Sequence, residues 1–543
     1  MHADISLRKI CVLAAIIIML MGCVAGTLAV KEARFGSMPF TYALKRIGER
    51  YVFLANYSSR WALGGGTSLA AAIAGISAVR YRHESPPTEA LPVLIYHALT
   101  REPNGHKVTR ALFAEQMFIL KRAGWHTVTL RDAAAFLDGT KRLPARSFLL
   151  TFDDGPKESF YPVDPVLQIL GFRAVNFILP KYSTREGSSY YLSEGEIASM
   201  LASGRWEIGS HGQDGHDASV AIDREGNTGS YLAHPLWLAE EDRTETLEEY
   251  RARIGEDLRV SRERLEAVYG LPVHTFAFPF GDFGQLDSGL EPSVVLRDRA
   301  HAVYDTVFYQ TFRGEGLSQN YPDPHHESFM VKRIEVSSLW DGKDLLAVLE
   351  SGYGKDLPYR DIFETNTLDW FSMWGEHALE NGVLKMVNSP GETGSAALLD
   401  GTGHWGDYEF RALVASEPRT GVLLWARFKD KDNNAACNFG NGFAHVEETL
   451  EGERRVIKGE RRPSFLIPEG TFSVGIRVEG RVVSCSMNDE VLVASEFLEP
   501  ELSQGGIGIK IWDPEVDKSE LVVDSVSVTP IRATTPRATP IDE

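Results

Sequence analysis

Two textures of hydrophobic patterning divide the chain. Between residues 90 and 350, short apolar runs alternate with segments whose apolar positions recur at helical spacing. PVLIY at 92–96 predicts a strand; Phe113, Met117 and Leu120 then mark one face of a helix that Gly124 ends. TVTL at 127–130 predicts a second strand, followed by a short helix to Leu137 and by the apolar run FLLTF at 148–152. The cycle repeats with a strand over 174–179, a helix opened by Ser193 with Glu196 three residues on, as in a capping box, and the strand WEIG at 206–209. A long charged helix over 246–269 leads into TFAF at 275–278. Such alternation predicts a parallel sheet, open or closed into a barrel.

Beyond residue 356 the texture changes. DYEFRALV at 407–414, GVLLWAR at 421–427, FSVGIRV at 472–478 and the run at 521–528 are separated by Gly, Asn, Asp and Pro turns, and no long helical period interrupts them. This predicts an antiparallel β-sandwich over 356–530, so the expected fold class is α/β plus all-β. The tail, 531–543, is rich in Thr, Pro and Arg and reads as disordered.

Residues 1–87 carry a different signal. No charged residue lies within 10–30, a run long enough to span a hydrocarbon core, and Arg8 and Lys9 precede it. The stretch fits an uncleaved anchor, a signal peptide or a lipoprotein signal with Gly22 before a lipidatable Cys23; a buried soluble helix is the bland alternative. Residues 61–79 form a second candidate span, weakened by Gly64, Gly65, Gly66 and Gly75. If it spans, the basic loop between the two lies inside by charge bias. The membrane readings converge on an extracytoplasmic body.

The chain has 543 residues, enough for three or four domains, and its 43% hydrophobic content excludes a disordered chain. With 56 Lys plus Arg against 75 Asp plus Glu, the net charge of -19 argues against a broad nucleic-acid surface and is compatible with a polymer carrying free amines. Of four cysteines, Cys437 and Cys485 lie in the β region and fit either one bridge or two buried thiols.

Two motifs carry chemistry. TFDDGP at 151–156 places Asp153 and Asp154 where an apolar strand ends in a Gly-Pro turn, the end at which parallel sheets gather catalytic groups; a turn or helix cap would use the same pair. SHGQDGH at 210–216 follows another strand. On a helix, His211 and His216 would diverge by about 140°, but a loop with Gly212 and Gly215 lets both imidazoles meet one ion. With a carboxylate from Asp153 or Asp154 they make a two-His-one-carboxylate set suited to a divalent metal with open positions. Zinc is the default for such ligands, and cobalt, nickel or iron fit them too.

The ordered series LIYH at 94–97, TFDDGP at 151–156, SHGQDGH at 210–216 and FAFPFGD at 276–282 resembles the polysaccharide deacetylases of the NodB-homology type, carbohydrate esterase family four, over residues 88–355. Within that family it is most similar to the biofilm poly-N-acetylglucosamine deacetylases, which share the wide histidine spacing, an insertion like 225–237 and an early Tyr-His strand. The resemblance implies a distorted (β/α) barrel in which Asp154, His211 and His216 hold the metal. It makes Asp153 the general base and His97 the acid, with the oxyanion met by a backbone N–H near Phe280 and Gly281. Two departures stand out. Ala98 follows His97 where relatives usually carry Asp, and no Arg precedes Pro279. Arg333 is a candidate for the missing charge or for a structural salt bridge, and Asp282 for binding sugar hydroxyls or shaping the turn. Residues 356–530 resemble concanavalin-A-like jelly rolls, a candidate glycan-binding domain.

These readings predict a metal-dependent N-deacetylase of the bacterial cell envelope, acting on a poly-β-1,6-N-acetylglucosamine-like polysaccharide. The alternatives are peptidoglycan, chitin or xylan as substrate, or a silent glycan-binding matrix protein.

Overall fold

A computed structural model of the chain describes residues 87–531 apart from 184–187, 286–289, 312–315, 324–328, 365–368, 417–419, 462–465, 497–498, 516 and 518. The expected membrane segments at 10–30 and 61–79, Cys23 and nearly all of the 531–543 tail lie outside the described residues. Among the described residues, no helix is long and apolar enough to cross a membrane.

The alternating half is a closed barrel. Strands β1 (Val93–Tyr96), β2 (Ser147–Phe152), β3 (Ala174–Ile178), β4 (Trp206–Ser210), β5 (Thr275–Ala277), β6 (Thr306–Thr311) and β7 (Met330–Glu335) run parallel in the order β1-β7-β6-β5-β4-β3-β2, and β1 pairs with β2 to complete the ring. Side chains alternate across each strand. Val93, Leu149, Val175, Phe177, Ala277, Phe308 and Val331 meet inside the barrel. Leu94, Tyr96, Phe148, Leu150, Phe152 and Ile178 pack outward beneath the helices.

Local rules place the helices. Thr109 caps α1 (Arg110–Arg122), and Ser193 and Glu196 close the expected capping box of α2 (Glu194–Ala202). Thr246 and Glu249 do the same for α3 (Leu247–Tyr269), which Gly270 ends in the left-handed conformation. One expectation changes, and one strand is unforeseen. Of the 127–130 run only Thr127 joins a strand, the two-residue His126–Thr127, because the Thr129 side chain accepts the N–H of Asp132 and starts a helix at Leu130. The half-polar strand β6 has no apolar run to mark it.

Two antiparallel sheets make up the second half. One runs Glu376–Glu380, Val383–Val387, Glu520–Pro530, Tyr408–Ser416, Gly470–Glu479, Val482–Met487, Glu490–Glu496, with Tyr359–Asp361 added to Glu520–Pro530. The other runs Trp370–Trp374, Gly394–Leu399, Gly506–Trp512, Gly421–Asp430, Asn433–Gly440, Phe443–Leu450, Glu453–Arg461. Their facing sides share one apolar core, and a Cys437–Cys485 disulfide staples one sheet to the other, resolving the two readings of those cysteines.

The connection from β6 to β7 ties the halves together. Leu317 packs with Phe371, Leu423, Trp425 and Phe428 of the sandwich. Ser318 donates through its backbone N–H (3.0 Å) and its hydroxyl (2.5 Å) to the buried Asp400 carboxylate. Tyr321 stacks on His404, and Lys429 pairs with Asp323.

Candidate active site

Strand alternation delivers the site. Leu149 and Thr151 face into the barrel, so Asp153, next on that face, projects into the mouth at the C-terminal end of β2. The same count brings His97 inward after Val93 and Ile95, and Arg333 inward after Val331. Asp154 then turns with φ 72, a left-handed conformation that Asp tolerates better than most residues. Gly155 follows at φ 69, where a Cβ would lie 2.9 Å from Ser183 Oγ.

Asp154, His211 and His216 offer ligand atoms that all lie within 4.8 Å of one another. Asp154 Oδ1 stands 3.4 Å from His211 Nε2 and 3.1 Å from His216 Nε2. Tetrahedral ligands at about 2.0–2.1 Å from a metal would be roughly 3.3 Å apart, so the spacing suits an ion. Two further features fit. Asp154 Oδ1 is buried without a hydrogen-bond partner. His211 Nδ1 lies 2.8 Å from the Ala277 carbonyl, which can only accept; the proton is therefore on Nδ1 and the Nε2 lone pair faces the cluster.

Asp153 stands beside this cluster, 3.8 Å from His211 Nε2. Arg333, fully buried and on the partner strand of β1, grips both Asp153 oxygens at 2.6 and 2.8 Å. Of the two readings of Arg333, the geometry shows the salt bridge: its guanidinium is spent behind the carboxylate and over the Phe177 ring, away from any substrate contact. Burial would push the Asp153 carboxyl up, but Arg333, with His211 and His97, holds it below the ordinary value. Burial of Asp154 is likewise outweighed by its two histidines, which keep its carboxyl well below the usual range. In His216, burial favours the neutral ring, yet Asp154 raises its pKa.

His97 is half-buried, next to Tyr96, whose carbonyl accepts the Asp153 N–H at 3.3 Å. No hydrogen bond orients its ring among the described residues, in keeping with Ala98 at the next position. In the turn after β5, the N–H groups of Gly281 and Asp282 bond back to Phe278 and Pro279, while the Phe280 N–H has no acceptor among the described residues. Gly281 is therefore not a donor to an oxyanion. Its role is steric: at φ 67 a Cβ would lie 2.3 Å from Gln310 Cβ. Asp282 takes the second of its two expected roles. Buried, it accepts from Ser230 and the Gly284 N–H and shapes the turn. Phe280 itself, at φ 61, packs its ring 4.6 Å from that of His216 and is 43% exposed at the mouth.

Two contributors were not marked by the motifs. Asp257 of α3 accepts the N–H groups of Gln213 (3.0 Å) and Asp214 (2.6 Å), fixing the loop between the histidines. Its signal was available, because Tyr250, Ile254, Asp257, Leu258, Ser261 and Leu265 form the buried stripe of α3, and an acid on such a stripe needs a partner. The segment around Tyr190 and Tyr191 runs beside residues 155–157, with Lys157 N–H bonded to the Tyr190 carbonyl. Tyr191 stacks on Tyr182, and Tyr190, 44% exposed, stands edge-on to Tyr191. Burial, then the nearby Asp154 carboxylate, pushes the Tyr191 phenol up to about 12.

Comparison with known proteins agrees with this geometry. Residues 140–286 match the family model for polysaccharide deacetylase. A Bacillus subtilis protein described as a polysaccharide deacetylase, YxkH, is 30% identical over 114 residues, 21% of this chain and 39% of its own. The poly-β-1,6-N-acetyl-D-glucosamine N-deacetylase of Escherichia coli K12 is 25% identical over 190 residues, 32% of this chain and 28% of its own. The chain thus spans well under half the length of either curated relative. A solved de-N-acetylase from Aggregatibacter actinomycetemcomitans shows 18% identity and a TM-score of 0.40, covering 48% of this chain and 99% of that one. The barrel that carries Asp153, Asp154, His211 and His216 is a polysaccharide deacetylase domain.

Proposed function

We propose that the chain removes N-acetyl groups from an exported N-acetylhexosamine polysaccharide of the poly-β-1,6-N-acetylglucosamine type, using a divalent metal, zinc by default, held by Asp154, His211 and His216. The observation that carries this reading is the pairing of that cluster with an ionised Asp153 clamped by Arg333. The metal would supply an acidified water and polarise the acetamide carbonyl. Asp153 accepts the water's proton as its oxygen attacks the carbonyl carbon. The free Phe280 N–H donates to the oxygen that becomes negative. His97 gives a proton to the departing nitrogen as the C–N bond breaks, leaving acetate and a free amine on the sugar.

The inter-sheet disulfide supports an oxidising, extracytoplasmic location, as does the apolar segment at 10–30, which attaches the chain to the cell envelope membrane. The E. coli relative's substrate supports the choice of polymer. The test is acetate release from β-1,6-linked N-acetylglucosamine oligomers, chitin oligomers, peptidoglycan and acetylated xylan. Release from the first, abolished by Asp153→Asn, is expected. Release from none of them by metal-restored protein would sink the proposal, and release from another alone would move the substrate.

A further inference from the structure

Strand alternation brings one more carboxylate to the barrel mouth than the chemistry above uses. Gln310 is the next inward residue of β6 after Phe308, and Glu335 the next inward residue of β7 after Val331 and Arg333. In the pairing of β1 with β7, Glu335 stands opposite Ile95, and His97 is the next inward residue up the neighbouring strand. Glu335 and His97 therefore adjoin along the same wall of the mouth. On its other side Glu335 accepts the Gln310 Nε2 amide, and Gln310 in turn packs its Cβ where a Cβ on Gly281 would lie, at 2.3 Å.

The other carboxylates of the mouth are matched by charge. Asp153 has the Arg333 fork at 2.6 and 2.8 Å, and Asp154 faces His211, His216 and the site of the metal. Glu335, half-buried, has only the neutral Gln310 amide among the described residues, and its second oxygen accepts no hydrogen bond there. A carboxylate drawn partly out of water for structural reasons gathers a cation or several N–H groups, and Glu335 gathers neither. With Asp153 balanced by Arg333 and Asp154 set against a divalent ion, a mouth lacking Glu335 would carry an excess positive charge and repel a cationic ligand. Glu335 cancels that excess on the wall that carries His97.

We infer that Glu335 binds the ammonium group of a de-N-acetylated hexosamine unit. His97 gives its proton to the departing nitrogen, so the amine forms beside this wall, and it becomes an ammonium by taking one further proton from water. An acetamide N–H offers the carboxylate one neutral donor, whereas an ammonium offers three charged ones, and charge-assisted hydrogen bonds are about twice as strong. Glu335 therefore favours product over substrate, and the chain is inhibited by the polymer it has deacetylated. The identity of the amine rests on the function proposed above; the unmatched carboxylate does not.

The experiment titrates the metal-loaded full chain by calorimetry with the fully de-N-acetylated β-1,6-linked glucosamine trimer, at about pH 6, above the carboxylate range and below that of an amine. KM is measured in parallel by acetate release from the acetylated trimer. Glu335→Gln, which can still accept the Gln310 amide, is expected to bind the deacetylated trimer about ten-fold more weakly than wild type, with a much smaller change in KM. Glu335→Asp, which keeps the charge, is expected to recover most of that loss. The deacetylated trimer should also inhibit acetate release by wild type more strongly than by Glu335→Gln. Equal binding by wild type and Glu335→Gln, no binding by wild type alongside normal acetate release, or a loss as large in Glu335→Asp as in Glu335→Gln would overturn the inference. Glu335-dependent binding without acetate release from any glycan would uphold it and remove the deacetylase reading instead.

Discussion

Arg333 acts on the chemistry through Asp153. Its fork fixes the carboxylate's orientation, which a lysine's single ammonium cannot reproduce. Arg333→Lys is therefore expected to lower kcat by about ten-fold or more with little change in KM, while Arg333→Met leaves a buried carboxylate unpaired and costs about 3–5 kcal/mol of stability. Steady-state kinetics and urea unfolding check the two; wild-type kcat in Arg333→Lys would refute the positioning role. The paired carboxylates and the two histidines were legible in the sequence because strand ends and glycine loops leave a residue pattern behind. The job of Arg333 was not, because nothing in KRIEV says which side of the strand is buried against Asp153. The donor role of Gly281 is illegible for a related reason: its N–H group is consumed by a turn whose hydrogen bonds appear only in three dimensions.

Among the elements, α3 matters most to the site, since it lends Asp257 to the histidine loop. Burial pushes the Asp257 carboxyl from the ordinary 3.8 up to about 6, against the two loop N–H groups that favour its charge. Between these values the folded chain holds a proton that the unfolded chain has released, so stability falls as pH rises through that window. At about 1.4 kcal/mol per pK unit the loss approaches roughly 3 kcal/mol. Asp257→Asn should flatten this slope in urea unfolding measured from pH 4 to 7; an unchanged slope would show that another group sets it. The capped helices α2 and α3 were readable from local signals, and β6 was not, because the ring closure that buries it is a property of all seven strands.

The whole molecule couples two folds through the buried Ser318–Asp400 contact and the Leu317 cluster, and a disulfide staples the sandwich itself. Closing 48 residues of chain, the bridge is expected to contribute about 4 kcal/mol by loop entropy. Replacing both cysteines with alanine should lower the thermal midpoint by several degrees, and no change would mean the bridge does not form in solution. The barrel and the sandwich were both legible as textures; their joint was not, because it is built by a β6–β7 connection without a motif. The central claim is that Asp153 moves the proton while Asp154, His211 and His216 hold the metal. One measurement tests it most directly: acetate release and metal content determined together on wild type and Asp153→Asn. The account predicts one divalent metal per chain in both proteins and acetate from wild type alone. Acetate release by Asp153→Asn, or by a wild-type chain stripped of metal, would contradict it.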